Sequence, residues 1–169
     1  MAKQFFKVHN TESDATDLFR EMIFIRGMEV TFNIARPSLL QVYGHCNLEH
    51  RNLVTPPSNK PWDGAVMWAL VVGLRRPPMP WPPATDQGHP PTWIKGAKTG
   101  SNILNRDEHY ATGEFEAAEH LTVPGPYRVE LWGRSASSLR DIDGLIQVVG
   151  TNSPSDPYNQ MIVLVEDYP

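Results

Sequence analysis

One turn and the strand it launches restrict this chain more than any other stretch. From Leu121 to Ser138 the sequence reads Leu-Thr-Val-Pro-Gly-Pro-Tyr-Arg-Val-Glu-Leu-Trp-Gly-Arg-Ser-Ala-Ser-Ser. Pro124 and Pro126 carry fixed φ, and Gly125 between them is free to take a positive φ, so the backbone turns sharply here. Beyond the turn, Tyr127, Val129 and Leu131 fall on one side of a two-residue period, and Arg128, Glu130 and Trp132 on the other. That pattern is a half-buried β-strand entered through a rigid turn, and no catalytic signature lies in it.

The same period recurs upstream. Met28 to Ala35 alternates cleanly, and after Pro37-Ser38 the alternation resumes from Leu39 to Glu49, with Leu40, Val42, Gly44, Cys46 and Leu48 opposite a wet face. Residues 18 to 26, 110 to 117, 145 to 149 and 161 to 165 read as further strands. Ala65 to Leu74, which includes Trp68, is apolar on both faces and must be covered twice. One cover is the core, and the other is a loop or a second subunit. With sixteen prolines in 169 residues and no Ala/Glu/Lys/Leu-rich helical tract, the expected class is all-β, an antiparallel sandwich.

Two segments stand apart. Residues 1 to 17 place Phe5, Phe6 and Val8 on a polar stretch without sustained period, which reads as an extended N-terminal arm ahead of a domain from 18 to 169. Arg75 to Glu108 carries seven prolines with Trp81 and Trp93, too long for an ordinary connection and too rich in indole and Pro-Pro to be loose. Its second half, from Lys95, is more flexible in composition. Phe5, Phe6, Val8, Trp68, Trp81 and Trp93 are therefore the candidate interface residues, being apolar groups whose cover is expected partly on another chain.

A net charge of −4 with only one tight basic pair, Arg75-Arg76, argues against nucleic acid as a partner. Cys46 is the only cysteine, so no intrachain disulfide forms, as expected of a protein made in a reducing cytoplasm. The N-terminus lacks a signal-peptide core, and no apolar run approaches the roughly 20 residues of a membrane span, so no membrane association is expected.

Catalytic constellations are weak. His45, Asn47 and Glu49 share one face and resemble the metal strand of a cupin-type enzyme, but an asparagine replaces the second histidine and the face is the polar one. Ser135, Ser137 and Ser138 lack a nucleophile elbow and read as loop groups satisfying backbone. Asp141 and Asp143 lack the downstream ligands of a calcium loop. No metal, no cofactor and no enzymatic activity are expected. Trp62, Trp81, Trp93 and Trp132 could stack on sugar rings, though burial under loops or in an interface is the better reading.

The alternating strand Met28 to Ala35, the Pro-Gly-Pro-Tyr-Arg-Val-Glu-Leu-Trp-Gly-Arg-Ser-Ala-Ser stretch and the closing Asn-Gln-Met-Ile-Val-Leu-Val-Glu strand resemble the jelly-roll domains, similar to the tumour-necrosis-factor and complement-head fold, of bacteriophage capsid-decoration, head-fibre and tail-fibre proteins. The resemblance covers mainly Leu121 to Glu166 and more loosely Ile23 to Glu49. It implies a jelly roll that acts as a virion structural protein, made in the host cytoplasm and located in the virion. In that reading the chain is a homotrimeric capsid decoration protein bound to the major capsid protein or another virion protein. A receptor-binding or fibre-tip domain recognising a host glycan is the alternative, and a cupin-type enzyme the weakest reading.

Overall fold

The computed structural model describes residues 3–10, 16–50, 66–83, 89–94, 103–104, 110–137, 146–148 and 159–168. The expected Pro56-Pro57 loop, the Asp63-Gly64 turn, Trp62, Ser138, Asp141, Asp143 and all but the last residue of the expected 151–159 loop lie outside these residues, as does most of the stretch from Lys95 to Glu108. Among the described residues every regular element is a strand: β1 Lys3–His9, β2 Thr16–Leu18, β3 Ile23–Ile34, β4 Ser38–His50, β5 Val66–Arg75, β6 Thr92–Trp93, β7 Ile103–Leu104, β8 Tyr110–Leu121, β9 Gly125–Ser137, β10 Ile146–Val148 and β11 Gln160–Asp167.

The strands form two antiparallel sheets. In sheet A, β11 lies between β1 and β4, and β8 pairs along the other edge of β4. Where β11 ends its pairing at His45, β10 takes over the same edge of β4 from Leu48 to His50 and brings β2 with it. Sheet B runs β3-β9-β5, and both short strands β6 and β7 pair with β5. Taking the long elements in order, the first pairs with the last, β3 with β9, β4 with β8, and β5 with the short strands that follow it. That nested pairing, divided over two sheets, is a jelly roll.

Alternation drives it. On β9, Tyr127, Val129 and Leu131 point into the sandwich and are buried. They meet Leu40, Val42, Val163 and Val165 of sheet A in one continuous core. Gly125 adopts φ 137 at the Pro-Gly-Pro turn, as its sequence predicts, and Gly27 at φ 74 sits in the register shift between Phe24 and Glu29 that lets β3 bend along β9. At the end where β1 stops, Asn159 is fully buried; its amide donates to Asn10 Oδ1 at 2.6 Å and its oxygen accepts from the Asn47 backbone at 2.7 Å.

Two expectations change. Residues 3 to 9, expected within an arm outside the sandwich, are extended but enter sheet A as its edge strand. The reason is in the residues: Phe6 and Val8 alternate with Lys7 and His9, and they pack against the core, with the Phe6 ring tilted against Phe32 at a centroid distance of 6.0 Å. The strand expected over 18 to 26 divides into the end of β2 and the start of β3.

Cys46 is fully buried on β4, and burial pushes its thiol far above the ordinary range. Native protein should therefore resist a thiol reagent at about pH 8 and react fully once unfolded. Because the thiol ionises only in the unfolded chain, the stability this burial contributes is complete below the ordinary thiol pKa and falls as pH rises above it. Rapid labelling of folded protein would contradict the assignment.

Candidate functional site

The two outer faces of the sandwich differ in kind. On sheet B, the outward side chains of β9 are Arg128, Glu130 and Trp132; Trp132 is fully buried under a loop, as its indole suggests, and Glu130 is fully buried too, against the expectation of a half-buried strand. The proline-rich excursion after β5 is what buries them. Trp93 packs edge-on against Trp132 at 5.9 Å, Phe24 closes the other side of the indole at 6.0 Å, and Pro91 presses on Gly73 so closely that a Cβ there would overlap its ring. The strand Ala65 to Leu74 thus takes part of its second cover from its own chain.

Charge pins the cover. Glu130 accepts from Arg75 Nε at 2.6 Å and Nη2 at 3.2 Å, from Arg128 Nε at 2.6 Å and from Trp132 Nε1 at 2.9 Å. The same two guanidiniums reach out of the sheet. Arg75 donates to the His89 carbonyl and Arg128 to the Pro82 carbonyl, each at 2.6 Å, so both limbs of the excursion are fastened to one buried carboxylate. Arg128 also lies 5.5 Å from the Trp81 ring centroid, and Trp81 Nε1 donates to the Arg76 carbonyl. Prolines reduce the entropy lost in holding such a segment down.

At one end of the sandwich the excursion meets the β8–β9 turn: a Cβ on Gly125 would press on Pro77. Met79 (58 % exposed) and Val123 (57 %) stand out there among Pro78, Pro80 and Pro124, all exposed. Tyr127 Oη donates to the Val123 carbonyl at 2.7 Å and fixes the turn.

Sheet A has no such cover among the described residues. Phe5 (59 % exposed) and Tyr43 (41 %) stand on its outer face with half-buried Ile162 and Leu164 between them. An open concavity of about 560 Å³ lies over Gly44, bordered by Tyr43, His45, Glu114, Glu116 and Gln160.

Of the six expected interface residues, Phe5 is exposed, Trp81 and Trp93 are half-buried in the sheet B cover, and Phe6 and Val8 turn toward the core. Trp68 is buried in the core against Gly113 and presents no surface, because the inward phase of β5 includes it. His45, Asn47 and Glu49 do share the outer face of β4, and the Asn47 amide oxygen accepts from Thr112 Oγ1 at 3.0 Å. Among the described residues, no group of three His, Cys, Asp or Glu side chains is placed to hold a metal. Ser135 Oγ donates to the Leu18 carbonyl at 2.8 Å, the backbone role expected of it, but Ser135 and Ser137 lie on β9 and not in the expected loop, because β9 continues its pairing with β5 through them. Tyr43, Ile162, Leu164 and Met79 are surface groups that a search for tryptophans and arms passes over. The strand alternation that put Tyr43 on the wet face of β4 was the available signal.

The fold and its faces define a two-sheet jelly roll, dressed on one side by its own chain and, among the described residues, without such a cover on the other. No protein-family model matches the chain, and no curated protein matches it. Among solved structures it is similar to the tripod from the baseplate of bacteriophage Tuc2009, at 13 % identity and a TM-score of 0.37, covering 92 % of this chain and 65 % of that one. It is also similar to a structure of infectious bursal disease virus, Gx strain, at 9 % identity and a TM-score of 0.45, covering 98 % of this chain and 38 % of that one. The chain thus spans less than two thirds of the length of either.

Proposed function

We propose that this chain is a non-enzymatic virion structural protein, a capsid decoration or stabilising protein that binds the phage capsid as a homotrimer. The observation that carries the reading is the apolar strip on the outer face of sheet A, without cover among the described residues, beside a sheet B face that its own chain has closed. A sandwich with one finished side and one unfinished side is suited to assembly. The jelly-roll topology and the resemblance of the Leu121 to Glu166 stretch to phage virion domains support the virion role.

The apolar tip at Met79 and Val123 is the second contact, stiffened by prolines and remote in character from a catalytic cleft. It takes the attachment role expected of the long loop, with Trp81 and Trp93 acting as its internal anchors. Light scattering should give three times the 19.0 kDa chain mass. Met79→Asp should preserve that mass and the unfolding curve while lowering occupancy on virus particles at least about tenfold, the scale of an interface hot spot. Equal occupancy of mutant and wild type in a competition on particles would remove the tip from the interface.

A receptor-binding role has one observation in its favour, the open concavity where Tyr43 stands beside Glu114 and Glu116. An aromatic face with flanking carboxylates suits a sugar ring. Binding on a glycan array, lost in Tyr43→Ala, would favour that reading over decoration.

A further inference from the structure

The outward side chains of sheet A stand in rows that cross four strands. Lys7 on β1 is level with Ile162 on β11, Ile162 with Tyr43 on β4, and Tyr43 with Glu116 on β8. The next row holds His9, Gln160, His45 and Glu114, and the one on the other side holds Phe5, Leu164, Gln41 and Ala118. The face therefore has a basic margin along β1 and an acidic margin along β8, three strand spacings or roughly 14 Å apart. A strip of Phe5, Leu164, Ile162 and Tyr43 crosses between them.

Lys7, Glu114 and Glu116 are exposed, and none has an ion-pair partner among the described residues. Lys3, at the end of the basic margin, is already paired with Glu166, and Glu119, further along β8, with Arg76. Among the described residues Lys7 thus stands unpaired at one margin of the apolar strip, and Glu114 and Glu116 at the other.

We propose that this face is the surface at which copies of the chain meet, around a rotation axis parallel to the strands of sheet A, with Lys7 of one copy against Glu116 of the next. Symmetry carries the argument. A rotation about an axis along the strands keeps every row at its own height and brings the β1 margin of one copy to the β8 margin of its neighbour. Lys7 then meets Glu116, and His9 meets Glu114, at every joint, whatever the number of copies in the ring. The apolar strip turns inward toward the axis. A twofold axis across the strands would instead set β1 on β1 and β8 on β8, placing lysine by lysine and glutamate by glutamate, which like-charge repulsion disfavours. The charge pattern therefore selects both the partner, a second copy, and the axis.

This rests on the reading of the chain as a self-assembling virion component and specifies the face it uses. The test is a charge exchange followed by sedimentation velocity across a micromolar concentration series. Lys7→Glu and Glu116→Lys should each raise the dissociation constant of the oligomer at least about tenfold, and the double exchange should restore association to near the wild-type value. Association of the wild type should weaken with added salt, as exposed margins require. All three variants should keep the wild-type circular dichroism spectrum, because both residues lie on the solvent side of their strands, while the unfolding midpoint of the single exchanges falls only as far as their weaker association requires. A wild-type chain that is monomeric at every concentration would overturn self-assembly and this face together. A wild-type oligomer unmoved by either single exchange, or singles that dissociate without rescue in the double variant, would overturn the face while leaving self-assembly standing.

Discussion

Replacing Glu130 by alanine should lower folding stability by about 3 to 5 kcal/mol, the scale of removing one partner from a buried ionic group. The carboxylate is fully buried, and it is the shared acceptor for Arg75, Arg128 and the Trp132 indole. Without it, two guanidiniums remain beneath the proline-rich cover with like charge and no counter-ion, and the tethers to Pro82 and His89 lose the group that positions them. The cover should loosen before the sandwich melts. Urea unfolding gives the magnitude, and a red shift of tryptophan emission in the native baseline reports Trp81 and Trp93 becoming wet. Removing the charges together, as Glu130→Leu with Arg75→Leu, should recover part of the loss, since apolar replacement of a buried pair is often close to neutral. A single-mutant loss below about 1 kcal/mol would show that the cluster is not what holds the cover.

Gly44→Ala should cost about 3 kcal/mol, the upper end of overpacking, or a fall in Tm of roughly 6 to 12 °C for a chain of this size. A Cβ at Gly44 would overlap the Gln160 backbone carbonyl and lie 2.7 Å from Phe115 Cζ. The phenyl ring can rotate. The carbonyl belongs to β11, so relief requires that β11 move away from β4 and weaken the pairing that centres sheet A. A variant that melts with the wild type would show that the two strands yield more easily than this packing implies.

Much of this fold is legible in the sequence because its strands are amphipathic. β4 shows its buried set, Leu40, Val42, Cys46 and Leu48, at alternate positions, and β9 its turn and its inward face. What the pattern could not reveal is cover supplied from far along the chain. Glu130 reads as one of the polar positions of a half-buried strand because nothing local shows that Trp81, Pro82 and the stretch from His89 to Trp93 will fold over it, whereas the indole of Trp132 is itself a signal for burial under a loop. Phe6 and Val8 read as an unattached group because their partner strand, β11, lies more than 150 residues away. The same limit applies to the surface. Lys7 and Glu116 each look like ordinary solvated charges, and only the register of four strands sets them on one row.

The position of β11 also fixes when sheet A can form during synthesis. It is the last strand to leave the ribosome among those described, and it lies between the first strand and β4. Among the described strands β1 therefore has no neighbour within its sheet until β11 has emerged, and until then the edge of β4 from Ser38 to His45 is open, with β10 available only for Leu48 to His50. Sheet B, whose β3, β5 and β9 precede β11, can assemble earlier. Closure of such distant pairings is slow relative to local folding. The nascent protein thus passes through an interval in which one sheet is laid down and the other waits for its central strand, and crowding of several chains on one message raises the chance that the waiting slot is filled by a strand from the wrong copy.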